Sequence, residues 1–273
     1  MSKMGYMAYI LVVFALLCFY VNADQCTYRG GQCKRSSGGW WFWSRRPSCY
    51  NGRFVNGLCS SNYKCCVPNT PKPTKTTPPP VSYQCYGDFM KLNPTGAGKL
   101  TSGQDWLKYT GVRASNKMLD TDLAELNKRK QCYIRAGRNS CIHPAIIAAI
   151  ASRESRGGRL LYASNGLGDK KKAWGIMQCD LHKSGQDCKK YKWDSCDHIN
   201  HMTQTVLLPF VKTIKRNHPS WAAKYQLKGG VAAYNFGPGN VQTIPGMDDK
   251  TTGDDYSNDV IARAQRLVKA YGW

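Results

Sequence analysis

Among the carboxyl groups of this chain, Glu154 is singled out by what precedes it. Residues 144–153, PAIIAAIASR, are apolar almost throughout, so the Glu154 carboxyl is held beside low-dielectric surroundings. Such a setting disfavours the charged form and raises the pKa. A carboxylic acid that keeps its proton near neutral pH is what the protonation of a leaving-group oxygen requires. The competing reading is structural, a helix-end acid paired with Arg153 or Arg156, and most perturbed carboxylates are of that kind. The histidines His143, His182, His198, His201 and His218 lack the HExxH spacing of a zinc protease. Neither a metal nor any other cofactor is expected.

The elements that must position Glu154 are mainly helical. Pro144 suits a first helical turn, and the run it opens is apolar all round, which predicts a helix buried on every side. Leu119, Leu123 and Leu126 predict a helix within residues 117–134. Ile199, Met202, Val206, Phe210 and Ile214 continue the helical period, with Pro209 predicting a kink. Val260, Ala264, Leu267, Val268 and Tyr271 predict a last amphipathic helix stopped by Gly272. Between the central helices lies a glycine-rich stretch, residues 157–180, with a strand candidate at 175–179. It is irregular and polar enough to build one wall of a cleft.

Length and composition frame this unit. The chain has 273 residues, 42% of them hydrophobic, which suffices for a core and disfavours intrinsic disorder. Lys3, the apolar run 10–20 and the small residues near Ala23 predict a signal peptide over 1–23 and hence secretion. Twelve of the 13 cysteines follow residue 23, an even number that fits disulfides in an oxidising compartment. Six of them, Cys26, Cys33, Cys49, Cys59, Cys65 and Cys66, fall in residues 24–67, a unit too small to rest on a hydrophobic core alone. The neighbours Cys65 and Cys66 should bond to separate partners. Residues 68–82, PNTPKPTKTTPPPVS, read as an extended spacer. They leave residues 83–273 as the second unit.

Three segments of that unit, Ser152-Arg153-Glu154-Ser155, Gly175-Ile176-Met177-Gln178-Cys179-Asp180 and Ala233-Tyr234-Asn235-Phe236-Gly237-Pro238-Gly239-Asn240-Val241, resemble in order the signature segments of goose-type lysozymes. The resemblance runs from Cys85-Tyr86-Gly87 to the tail at residues 254–265, covering essentially the whole unit. It implies an α+β, mainly α fold: a lysozyme-like helical domain with a small β region, preceded by a small disulfide-rich module. It also implies hydrolysis of peptidoglycan between N-acetylmuramic acid and N-acetylglucosamine, with inversion. Glu154 matches the catalytic acid, and Asp169 and Asp180 match two aspartates that position and activate water, either serving as main base. An inverting enzyme needs its carboxyls ~6.5–9.5 Å apart to admit that water. Gln178, Tyr234, Asn235 and Tyr256 match cleft-lining positions, although buried tyrosines also serve structure alone. Cys85 and Cys141 match one family bridge, whereas Lys99 and Thr110 replace the other. Cys132, Cys179, Cys188 and Cys196 are then expected to form two more, in a pairing left open.

Some features depart from that pattern. Arg156 stands where the family has His, adding a charge expected to lower the pKa of the acid. Two residues are inserted between Glu154 and Asp169, and the alignment of 197–205, including His198 and His201, is ambiguous. With its cysteine pattern ending Gly57-Leu58-Cys59, then Lys64-Cys65-Cys66-Val67-Pro68, the small unit resembles a cysteine-rich module found ahead of wall-degrading domains, including some invertebrate goose-type lysozymes. Its Trp40-Trp41-Phe42-Trp43 run, beside Arg45 and Arg46, suits sugar stacking or a bilayer interface, or else covers the disulfides. The net charge of +22 includes +6 on residues 24–67 and +13 on the second unit. Such a field draws a protein to bacterial walls and anionic membranes, whereas no nucleic-acid motif is present. The expected state is a monomer. Two alternatives remain at this level: a lytic transglycosylase, or a cationic binding protein in which the glycosidase is incidental.

Overall fold

A computed structural model describes residues 32–35, 49, 52–56, 59, 63–68, 83 and 85–273. The expected leader, the Trp40–Trp43 run and nearly all of the proline-rich stretch lie outside them. The chain divides into two compact units, Met1–Pro80 and Val81–Trp273.

In the first unit, β1 (Gln32–Arg35) and β2 (Gly52–Val55) flank β3 (Tyr63–Pro68), both antiparallel to it. Successive strand residues point to opposite faces, so the side chains of Cys65 and Cys66 diverge. Cys66 bonds to Cys49 and Cys33 to Cys59. Cys65 is also disulfide-bonded, so the adjacent cysteines do have separate partners.

The second unit is built around α4. Its helices are α1 (Lys99–Gly103), α2 (Gly111–Asn127), α3 (Lys130–Ser140), α4 (Pro144–Ser155), α5 (Cys196–Met202), α6 (Leu208–Asn217), α7 (Ala223–Phe236) and α8 (Tyr256–Tyr271). Every residue of α4 from Pro144 to Ser152 is buried, as an all-round apolar helix requires. Its small side chains admit close packing by α2, α3 and α8. His143 caps the start, its Nδ1 accepting the Ala145 N–H at 3.2 Å. Arg156 ends the helix in the left-handed conformation, φ 57°, donating its N–H to the Ser152 carbonyl at 3.0 Å.

Three expectations change. The helix anticipated across 117–134 breaks at Lys128-Arg129, because Arg129 leaves the helical conformation and its guanidinium engages Asp194 through backbone and side chain at 3.0 and 3.1 Å. The re-aimed α3 brings Cys132 to Cys196. Residues 175–178 form a turn instead of a strand, with Gly175 at φ 80° and Gln178 at φ 50°. That turn joins β5 (Ala173–Trp174) to β6 (Cys179–Asp180), and β5 also pairs with β4 (Leu167–Gly168). Near Pro209 the helical run persists through a π-helical turn, Thr203–Leu207, where the Leu208 N–H reaches back to the Thr203 carbonyl. The wider turn accommodates the donor that proline lacks.

Candidate active site

Glu154 is the penultimate residue of α4, half-buried where that helix opens onto a cavity of about 670 Å³. Burial raises its pKa to about 7, against the opposing effects of a hydrogen bond from Tyr256 and the charge of Arg153. The negative end of the helix dipole works in the same direction as burial.

Burial keeps the proton on Glu154, and its arginine neighbours, which favour the carboxylate, are engaged elsewhere. Arg153 pairs with Asp255 and Asp259 at 3.0 and 2.8 Å, and also donates to Thr101 and to the Thr252 carbonyl. Arg156 forks onto both oxygens of Asp105 and lies 3.8 Å from Asp122. None of the ion pairs among the described residues includes Glu154. The structural reading of Glu154 as a partner of either arginine is therefore not realised. The lowering charge is that of Arg153, not the Arg156 expected from the sequence, because Asp105 neutralises Arg156. Beneath them Arg263, 1% exposed, joins Asp259, Asp122 and Ser152 into a buried network. It fixes α2, α4 and α8 against one another.

Tyr256, at the start of α8, is buried and donates its hydroxyl to Glu154 Oε1. Burial, then the Glu154 charge, pushes the phenol far above its ordinary range, so it acts as a donor. Tyr234 on α7 is raised by the same two influences, and it donates to the Met177 carbonyl at 2.7 Å. The Ser155 hydroxyl donates to the Ile176 carbonyl at 2.7 Å. The 175–178 turn is thus tied to both α4 and α7.

That turn carries Gln178, whose amide donates to the Gly175 carbonyl and whose side chain lies directly over Gly168. Asp169 follows Gly168. Gly168 pairs with Ala173 and Ala173 with Asp180, so Gly168 and Asp180 share one rung of the sheet, about 10 Å apart at two strand spacings. Both aspartates are exposed, and neither lines the cavity that Glu154 opens onto. Asp180 accepts the backbone N–H groups of His182 and Lys183 at 2.8 and 2.9 Å, and these hold its carboxyl below its usual range. The Asp169 carboxylate has no hydrogen-bond partner among the described residues. Asn235 exchanges hydrogen bonds with Thr252, 2.9 Å from its backbone N–H and 3.4 Å to its hydroxyl.

Three contributors were given no role from the sequence. Ser155 ties the acid's helix to the turn. Asp105 neutralises Arg156, and Trp106 stands on the cavity wall. The last two lie some fifty residues before Glu154, and no local pattern connects them to it. His198 is fully buried against the Gly175 turn, and burial, then the charge of His201, lowers its pKa to about 4, so it packs as a neutral ring. Cys85 bonds to Cys141, Cys132 to Cys196 and Cys179 to Cys188, the last closing the loop that follows Asp180. No cluster of three potential metal ligands occurs among the described residues.

A model of the lysozyme g family matches residues 86–270. Lysozyme g of Gallus gallus is 44% identical over 191 residues, covering 69% of this chain and 86% of that protein. Lysozyme g of Epinephelus coioides is 42% identical, covering 66% of this chain and 95% of that one. A protein of Lottia gigantea described as glycine, glutamate and proline-rich is 56% identical over 255 residues; the match takes in 82% of this chain but 61% of that protein's length. With the match running through nearly the whole helical unit, the chain belongs to the lysozyme g family of glycoside hydrolases.

Proposed function

We propose that this protein is a secreted, antibacterial peptidoglycan hydrolase that cleaves the β-1,4 bond between N-acetylmuramic acid and N-acetylglucosamine with inversion. Glu154 gives its proton to the glycosidic oxygen as the bond to the anomeric carbon breaks. A water held by Asp169 and Asp180 attacks the opposite face of that carbon and yields its proton to one of them. The observation that carries this reading is the half-buried carboxyl at the cavity, with a pKa of about 7 and both flanking arginines paired with other acids. Asp180, ionised at neutral pH, has the charge state that a base requires. Gln178, Tyr234, Asn235 and Tyr256 serve the substrate through the hydrogen-bonding capacity their internal partners leave open.

The positive field of the second unit concentrates the enzyme, as a monomer, on anionic bacterial surfaces, and residues 24–67 add a wall-binding module. Secretion fits the N-terminal segment, and no described helix is long and apolar enough to cross a membrane. The test is clearance of a bacterial-wall suspension with mass spectrometry of the products. Hydrolysis yields reducing muramic-acid ends and Glu154→Gln abolishes clearance; anhydro ends would show a transglycosylase instead, and full clearance by the variant would remove Glu154 from the chemistry.

A further inference from the structure

The cavity beside Glu154 has an aromatic wall that the proposed chemistry does not use. Trp106 is 91% exposed, and its backbone is left-handed at φ 56°, a conformation that bulky residues rarely adopt. Its surroundings hold it there. The Trp106 N–H donates to the Gly103 carbonyl at 3.0 Å and the Leu107 N–H to the Ser102 carbonyl at 3.1 Å. Asp105, immediately before it, is gripped by the Arg156 fork, and Arg153 bonds Thr101 in α1. The two arginines that flank the acid therefore anchor the segment that presents the indole.

Among the described residues the Trp106 ring makes no ring-stacking or cation–π contact, so this strained and tethered aromatic does not serve the core. Leu160, 64% exposed, lines the same cavity, as do the polar groups of Gln104, Thr121, Lys117 and Arg159. A flat apolar face next to hydrogen-bond donors matches the two aspects of an N-acetylhexosamine, whose axial C–H face is apolar and whose edge is polar.

We propose that Trp106 is the stacking platform of a saccharide-binding subsite, placed by the Arg156–Asp105 pair, which takes an N-acetylhexosamine ring in the cavity that Glu154 opens onto. This inference rests on the glycosidase reading above. The test is calorimetric binding of N-acetylglucosamine oligomers of increasing length to the full chain carrying Glu154→Gln, with and without Trp106→Ala or Trp106→Phe. At one step of the series an added sugar tightens binding by about tenfold; Trp106→Ala abolishes that increment and Trp106→Phe keeps most of it. In the otherwise native enzyme Trp106→Ala raises KM on long substrates by more than it raises KM on short ones, a length dependence that loss of folding would not produce. Unchanged melting temperatures verify that the variants fold. Equal affinities with and without the indole at every length, in an enzyme that still cleaves walls, overturn the subsite alone. A native protein that neither binds oligomers nor cleaves walls overturns the glycosidase reading together with it.

Discussion

The proton on Glu154 is set by its surroundings. Its protonated form is favoured by the fold, with a pKa of about 7 against an ordinary 4.5. The resulting stabilisation is complete below about pH 4.5 and is lost as pH rises through about 7. Glu154→Gln, which cannot ionise, should therefore gain on the order of 2 kcal/mol over the native chain between pH 5 and 8, measured by denaturant titration at each pH. Its wall-clearing activity should fall by a factor of roughly 10² or more. Tyr256 exerts the opposite influence, because its hydrogen bond stabilises the carboxylate. Tyr256→Phe should move the alkaline limb of the kcat/KM profile upward, and a downward shift would contradict the assignment of Tyr256 as donor. The perturbation of Glu154 is legible in the sequence because its cause, the apolar run 144–153, is contiguous with it. The effect of Arg156 is not legible, since Asp105, which cancels its charge, lies 51 residues away.

At the scale of elements, the acid's helix and the small sheet act as one unit through the 175–178 turn. Ser155 and Tyr234 each bond a carbonyl of that turn, and His198 packs against Gly175 so closely that a methyl group there would strike the imidazole. Gly175 also stands at φ 80°. Gly175→Ala should cost about 2–4 kcal/mol in thermal or chemical unfolding and reduce activity beyond the loss of folded protein, because Gln178 and Asp180 follow in the same turn and strand. A neutral result would show the turn to be pliable. Hydrophobic period located α4 and α8 because each buries a continuous face. It missed the break at Lys128-Arg129, whose cause is an ion pair with Asp194, 65 residues further on. It also read 175–179 as a strand, because apolar Ile176 and Met177 sit in a turn whose direction is set by left-handed Gly175 and Gln178.

Over the whole molecule, bridges and charge set the working conditions. Cys132–Cys196 spans 64 residues and ties α3 to α5. Replacing both cysteines by alanine should destabilise the second unit by about 4 kcal/mol on the chain-entropy account, read from urea unfolding. The even cysteine count and, through the family resemblance, the Cys85–Cys141 bridge were visible in the sequence; the pairing of Cys132, Cys179, Cys188 and Cys196 was not, because the path of the chain decides which sulfurs meet. The +13 charge of the second unit predicts that wall clearance slows as salt rises from about 0.05 to 0.3 M, whereas cleavage of small neutral oligomers changes little. The central claim concerns one proton, and the composition of the chain makes it directly measurable. The sequence has only two glutamates, Glu125 and Glu154. Glu125 is held below its ordinary range by its Lys128 and Tyr162 hydrogen bonds, although burial opposes this. A pH titration of the whole protein labelled with carbon-13 at the glutamate carboxyls should show two resonances, one with a midpoint near 7 that disappears in Glu154→Gln, and one below 4.5. Two midpoints below about 5 would contradict the account of Glu154 as a proton donor at neutral pH.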